Sequence, residues 1–357
     1  MHAGRDDFMR VLSASGIYHE VKTFEGAPHA FCLFQPWFDS TVQHMNAFLR
    51  RLDTLHQGDK TIIVAQDGSG DFKTIQEAVN AIPDGNKQQH TIFLKEGIYT
   101  EKLLIDSTKG PLSLIGEDAF RTVVRYNDHA GKISHSGDTI NTITSWSVRI
   151  RANDFRASDI SFVNDAGFSA GQAVAVESAG DKGVFRNCRF TGFQDVLFLS
   201  REHTRHYFEN CYIAGTTDFI FGSATAWFEN CHIHSLKNSH VTAAATPQNE
   251  SGFVFNNCIL TGDSSLHNVS LGRPWRRFAH VVYMNSYIGS HIKSEGWSNW
   301  NSTDHFLTTR YEEYKNYGPS SGYGKRVPWS RQLTEAEAKK YSIENIFGGW
   351  NPKTAAR

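Results

Sequence analysis

The sequence predicts an all-β solenoid, a parallel β-helix closed by short capping helices, and three observations carry that expectation. Five segments nearly repeat one another: Phe185-Arg-Asn-Cys-Arg-Phe190, Phe208-Glu-Asn-Cys-Tyr-Ile213, Phe228-Glu-Asn-Cys-His-Ile233, Phe255-Asn-Asn-Cys-Ile-Leu260 and Tyr283-Met-Asn-Ser-Tyr-Ile288. Their fourth residues, Cys188, Cys211, Cys231, Cys258 and Ser286, are spaced by 23, 20, 27 and 28, too short for a helical pair with its loops. The repeated residues are those of strands and turns. Within each segment the cysteine and the residue two further on share a strand face, whereas the leading aromatic has the opposite parity. All three point inward only if the chain bends between them, and Asn187, Asn210, Asn230, Asn257 and Asn285 stand at that bend. Asparagine tolerates the left-handed backbone such a corner needs.

The remaining elements follow in chain order. Gly16–Phe24 reads as a strand, Gly26–Phe31 as a loop and Thr41–Leu52 as a helix, a small α/β fragment over 1–56. Asp53–Lys60 is a polar break, so 57–60 reads as a linker and 61–353 as the solenoid domain. Thr61–Ala65 opens it as a strand. Thr74 with Glu77 forms a capping box for a helix over 75–82. Thr91–Leu94, Leu103–Ile105, Leu112–Ile115 and Phe155–Phe162 read as early, less regular strands. Thr334 with Glu337 opens a second helix through Tyr341, and helices at both ends would cover the exposed edges of the terminal coils.

Composition narrows the function. The 36 basic and 37 acidic residues leave a net charge of -1, which points to neither nucleic acid nor an anionic membrane as partner. Aromatics at 13% and 29 glycines suit a turn-rich β protein with a ligand-facing surface. No window reaches the length of a membrane span, and no signal peptide follows Met1. Four of the five cysteines share one repeat position, which reads as a row of buried thiols rather than disulfides or a zinc site.

Two acids stand out. Asp195 lies seven residues after Cys188 and Asp218 seven after Cys211, so stacked coils would place them side by side, about 4.8 Å of strand spacing apart. Both sit among apolar neighbours. Two carboxylates so close cannot both ionise freely, so one is pushed up and the other stays low, giving an acid and a nucleophile or base. The coil that reaches Asn238 at the same offset shows that the scaffold does not demand an acid there.

At these residues the chain closely resembles the pectin methylesterases, right-handed parallel β-helices that are aspartyl carbohydrate esterases. The matching pieces run in the family's order over residues 61–352: Gly97-Ile-Tyr-Thr-Glu101, Gln172-Ala-Val-Ala-Val176, Gln194-Asp-Val-Leu-Phe198, Asp218-Phe-Ile-Phe-Gly222 and Leu271-Gly-Arg-Pro-Trp275. Val196 and Phe198 depart from the family's usual Thr and Tyr. The resemblance implies Asp218 as nucleophile on the galacturonate methyl ester, giving an acyl-enzyme, with Asp195 as general acid and then base. It implies Gln172 and Gln194 as oxyanion donors and Arg273 as the guanidinium that keeps Asp218 ionised. Trp275 and Trp297 match the family's sugar-stacking tryptophans; Phe168, Phe193, Phe198 and Tyr99 are further candidate sugar contacts, and Phe219 is weighed against core packing. No metal or cofactor is required. The partners implied are methyl-esterified polygalacturonan or its oligomers and water, met by a monomer that is secreted or periplasmic.

Two other readings stand beside this one: a pectate lyase or polygalacturonase, of which the lyase would need calcium held by clustered carboxylates plus a basic residue, and a non-catalytic carbohydrate-binding solenoid. Residues 1–56 resemble the C-terminal end of an α/β-hydrolase esterase, with His29 at the place of that family's triad histidine. Residues 1–56 hold no Gly-x-Ser-x-Gly elbow and little of the sheet that would support one, so the segment reads as a fusion remnant.

Overall fold

The computed structural model describes residues 41–45 and 61–354, and the chain divides into two units, Met1–Thr61 and Ile62–Arg357. In the first, residues 41–45 are helical, the beginning of the helix expected over Thr41–Leu52. The strand, the loop and His29 proposed for 1–56 lie outside the described residues, as does Cys32.

In the second unit every ladder between named strands is parallel, and the strands form sheets of eleven, seven and eight strands. Each coil gives one strand to each sheet in turn. Gly183–Arg186 enters the eleven-stranded sheet, Arg189–Thr191 the eight-stranded and Leu197–Leu199 the seven-stranded, and Arg205–Glu209 begins the next coil. This is a parallel β-helix.

The corner asparagines have the conformation the parity argument requires. Asn187, Asn210, Asn230, Asn257 and Asn285 have φ between 51° and 54°. Each turns the chain sharply enough that the aromatic before it and the cysteine after it both face the interior. Phe185, Phe208, Phe228, Phe255 and Tyr283 then stack coil upon coil at 4.4 to 4.8 Å between centroids. Cys188, Cys211, Cys231 and Cys258 are free and buried beside them, and Ser286 continues the row.

One early strand differs from expectation. Phe155–Phe162 is two strands, Arg156–Ser158 and Ser161–Asn164, divided by Asp159 at φ 61°. Asp159 is the corner residue of an earlier coil, and buried Ile160 takes the cysteine position. Aspartate shares asparagine's tolerance of the left-handed region, so the bend persists although the letters differ.

The two predicted helices behave differently. Ile75–Ala81 starts from the Thr74–Glu77 capping box and buries Ile75, Ala78 and Val79 in the solenoid core, as an end cap should. Thr334 and Glu337 also form their box, but the helix is short, Glu335–Ala338, and it does not cover an end. Leu333, Ala338 and Phe347 lie on the outer side of the eleven-stranded sheet, against Val184, Tyr207, Trp227, Val254 and Val282. Those outward residues are apolar, and the C-terminal segment keeps them from water. Arg186 and Arg205, from the middle coils, donate to the carbonyls of Pro352 and Phe347 and pin it there. The last coil is sealed instead by Trp297, Tyr311 and Trp329.

Candidate active site

The seven-stranded sheet carries the acids on the corner that leads into it. Leu197 pairs with Ile220, which puts Asp195 beside Asp218 on the next coil. Their amides donate onward, Asp195 to the Thr217 carbonyl at 3.0 Å and Asp218 to the His240 carbonyl at 2.8 Å. Both have left-handed backbone, φ 66° and 50°, so the corner that aims each carboxylate outward favours a short polar side chain. In the following coil Asp218 is matched by His240, nine residues after Cys231 rather than seven, because that corner is longer.

Arg273 reaches the pair along the sheet. Phe198, Phe221, Ala243 and Arg273 are in register on four successive strands and face the same side. Ala243, with only a methyl group, leaves room for the guanidinium to lie back toward Asp218. Arg273 Nε donates to Asp218 Oδ1 at 3.0 Å and Nη2 to Oδ2 at 2.6 Å, a bidentate pair. Trp300 covers the guanidinium from outside, its ring centroid 4.1 Å from the central carbon.

These residues surround one cavity of about 430 Å³, with Gln172, Gln194, Asp195, Asp218 and Arg273 at its polar end and Phe198, Phe221, Trp275 and Trp300 as its apolar wall. Asn141, Thr142 and Ile143 also line it. Gln172 and Gln194 are bridged to each other in parallel, which sets both amides at the mouth of the pair. Phe198 and Phe221 stack at 4.4 Å, and Trp275 leans on both.

The electrostatics separate the two acids. Burial, and next the charge of Asp218, push the Asp195 carboxyl well above the usual range, against the pull of Arg273 and a Gln194 hydrogen bond. Burial raises Asp218 too, opposed by the Arg273 hydrogen bonds and charge. The simple expectation of one high and one low acid is therefore corrected: burial lifts both, and Arg273 opposes the rise through charge at Asp195 but through hydrogen bonds as well as charge at Asp218. His240 is held neutral, its pKa pushed to about 3 first by burial and then by Arg273 and Lys293.

The sugar-contact candidates divide. Trp275 and Phe198 line the cavity, and Phe219 is core. Phe168 and Phe193 form an edge-to-face pair at 5.7 Å that does not line it, with Phe168 mostly exposed. Trp297 does not reach the cavity: it is 1% exposed, packs on Tyr283 and Tyr311, and donates its indole N–H to Glu313. Trp300, three residues on, occupies the place expected of it. Tyr99 is equally buried, its hydroxyl donating to the carbonyls of Val64 and Lys95 near the N-terminal cap. Trp300, Asn141, Thr142 and Trp146, which packs on the Phe198 cluster, were not singled out by sequence; the close tryptophan pair 297 and 300 was the one available signal. Among the described residues no group of three or more His, Cys, Asp or Glu side chains is arranged to hold a metal ion.

Comparison with known proteins gives one consistent result. A family model described as pectinesterase matches residues 61–349. The chain is 38% identical to pectinesterase 31 of Arabidopsis thaliana over 78% of its own length and 89% of that protein's. Among solved structures it resembles the pectin methylesterase from carrot, at 32% identity and TM-score 0.75, covering 82% of this chain and 94% of that one. It also resembles a pectin methylesterase solved in complex with a hexasaccharide, at 27% identity and TM-score 0.72, covering 82% and 98%. The fold these neighbours share is the right-handed parallel β-helix.

Proposed function

Because the chain belongs to the pectinesterase family, carboxylic ester hydrolases acting on methyl-esterified pectin, we propose that its reaction runs through Asp218 as nucleophile and Asp195 as acid and base. The observation that carries this assignment is the bidentate grip of Arg273 on Asp218 alone. Of two neighbouring buried carboxyls, the one in that grip is the better anion, and the other the better proton store.

The steps follow from that inequality. An Asp218 oxygen attacks the ester carbonyl, and the N–H donors of Gln172 and Gln194 receive the charge that develops on its oxygen. As the tetrahedral species collapses, the C–O bond to the methoxy group breaks and protonated Asp195 gives its proton to the leaving oxygen, releasing methanol. An anhydride joins Asp218 to the uronate. Asp195, now a carboxylate, takes a proton from water as that water attacks the anhydride. Asp218 leaves as carboxylate, Asp195 is protonated again, and the uronic acid departs.

Trp275, Phe198 and Trp300 supply flat apolar walls for sugar rings, and the relative holding a hexasaccharide supports an oligomeric or polymeric pectin as the substrate. We further propose that the protein acts outside the cytoplasm, as a monomer; the polymeric nature of pectin supports the location. The test is methanol release from highly methylated pectin, with and without EDTA. Methanol in equal yield under both conditions is expected; calcium-dependent unsaturated sugar without methanol would overturn the proposal.

A further inference from the structure

The cavity opens on the seven-stranded sheet, but a second line of side chains runs along the outside of the eight-stranded one. Arg189, Tyr212, His232, Ile259, Tyr287 and Tyr317 are in register on six successive coils, about 24 Å at ordinary strand spacing. Three coils earlier the same line holds Ile98. Ile98, Ile259 and Tyr317 are 52%, 47% and 56% exposed, so interior packing does not explain them. Exposed apolar side chains gathered on one track mark an interaction surface.

One cation interrupts the track. The Arg189 guanidinium lies 4.4 Å from the ring centroids of both Phe120 and Tyr212. Phe120 is itself exposed, and its contact with Arg189 extends the track. Among the described residues no acid forms an ion pair with Arg189, whereas Arg186, Arg205, Arg273 and Arg326 each hold a carboxylate. A guanidinium stacked against rings is fixed in its plane while its N–H fork remains available, the geometry that accepts a carboxylate bidentately.

We propose that this track is a second, non-catalytic binding site for a linear polyuronide bearing both free carboxylates and methyl esters. Sugar faces and ester methyls meet the aromatic and aliphatic positions, and a free uronate meets Arg189. The track runs along the coil axis, as the row from Phe198 to Arg273 does on the other sheet. A polymer held there raises the local concentration of its own esters at the cavity without touching the chemistry. This inference rests on the pectin reading above.

The test uses the full chain and two readouts. Migration is measured in native gels containing partly methylated polygalacturonan, and methanol release is measured on a short methylated oligomer that only the cavity can hold. The variant Ile259→Glu with Tyr317→Glu changes exposed positions and sets like charge against the polymer. It should weaken retardation by roughly threefold or more, while turnover of the oligomer stays within about twofold. Arg189→Ala should do the same on demethylated polymer. Unchanged retardation in the double variant overturns the proposal. So does sedimentation showing a dimeric wild type that the double variant dissociates, because the track would then join two copies. If the wild type releases no methanol from either substrate, the esterase reading fails; retardation, read without turnover, still decides whether the track binds polyuronide.

Discussion

Trp300 lies against the outer face of the Arg273 guanidinium, while the edge of the same group holds both oxygens of Asp218. The indole thus shields from water an ion pair whose strength depends on staying dry, and it fixes the plane in which the two N–H groups point. Trp300→Ala should lower kcat/KM about 5- to 30-fold, from a lost cation–π contact of ~1–2 kcal/mol. The loss should fall on kcat as well as KM. A change confined to KM would reduce Trp300 to a sugar contact.

Arg273 sets the acidity of the nucleophile. Its bonds and charge lower the Asp218 pKa against burial, so Arg273→Gln should raise it further. Activity needs Asp218 ionised, and the acid limb of the kcat/KM profile should therefore move to higher pH, with kcat reduced at every pH. The pH profile of methanol release decides this; an acid limb that stays in place removes the role.

Asp195 should weaken the fold at neutral pH. Its folded-state pKa is raised, first by burial and then by Asp218, so its contribution to stability is complete below the unfolded pKa and is lost as pH rises through the folded one. Asp195→Asn, isosteric and uncharged, should therefore melt at higher temperature than wild type near pH 7, with the gain shrinking toward pH 3.5. It should also abolish turnover. A variant less stable at neutral pH would mean that the carboxylate is a structural asset.

The two tryptophans near the C-terminal coil separate by assay. Trp297→Phe removes a buried hydrogen bond to Glu313 and packing volume, and should cost about 1–3 kcal/mol in denaturant unfolding with KM unchanged. Trp275→Ala should do the reverse, raising KM on pectin with little loss of stability. If Trp297→Phe raised KM alone, the cavity would have to extend to it.

The corner asparagines can be tested singly. Asn230, at φ 53°, is exposed, so its substitution probes backbone rather than packing. Asn230→Ala should destabilise by about 1 kcal/mol and Asn230→Gly by much less, because only the former adds strain at positive φ. Equal losses, compared by urea midpoint, would count against a conformational role.

The coil repeat was legible in sequence wherever the corner kept its asparagine, because a left-handed bend leaves a chemical mark. Asp159 makes the same bend with another letter, and Phe155–Phe162 consequently read as one strand. Asp195, Asp218, Gln172, Gln194 and Arg273 were legible through short motifs, and they converge on one cavity. Its walls were not. Trp297 and Trp300 are three residues apart in an irregular loop, where no strand parity says which indole turns inward. The placement of the C-terminal segment was hidden for a related reason. Its capping box is local, but its docking site is set by apolar outward residues spread over five coils, from Val184 to Val282.

The stacked rings from Phe185 to Tyr283 recur at 4.4 to 4.8 Å although the chain between neighbouring rings varies from 20 to 28 residues. Chain length and axial position are thereby uncoupled. A corner loop can gain or lose residues and still return the next ring to its station, as the longer corner before His240 does. Evolution can then rebuild the rim around Asp195 and Asp218, and with it the choice of polymer, while the distance between the two acids stays fixed by a spine that neither of them touches.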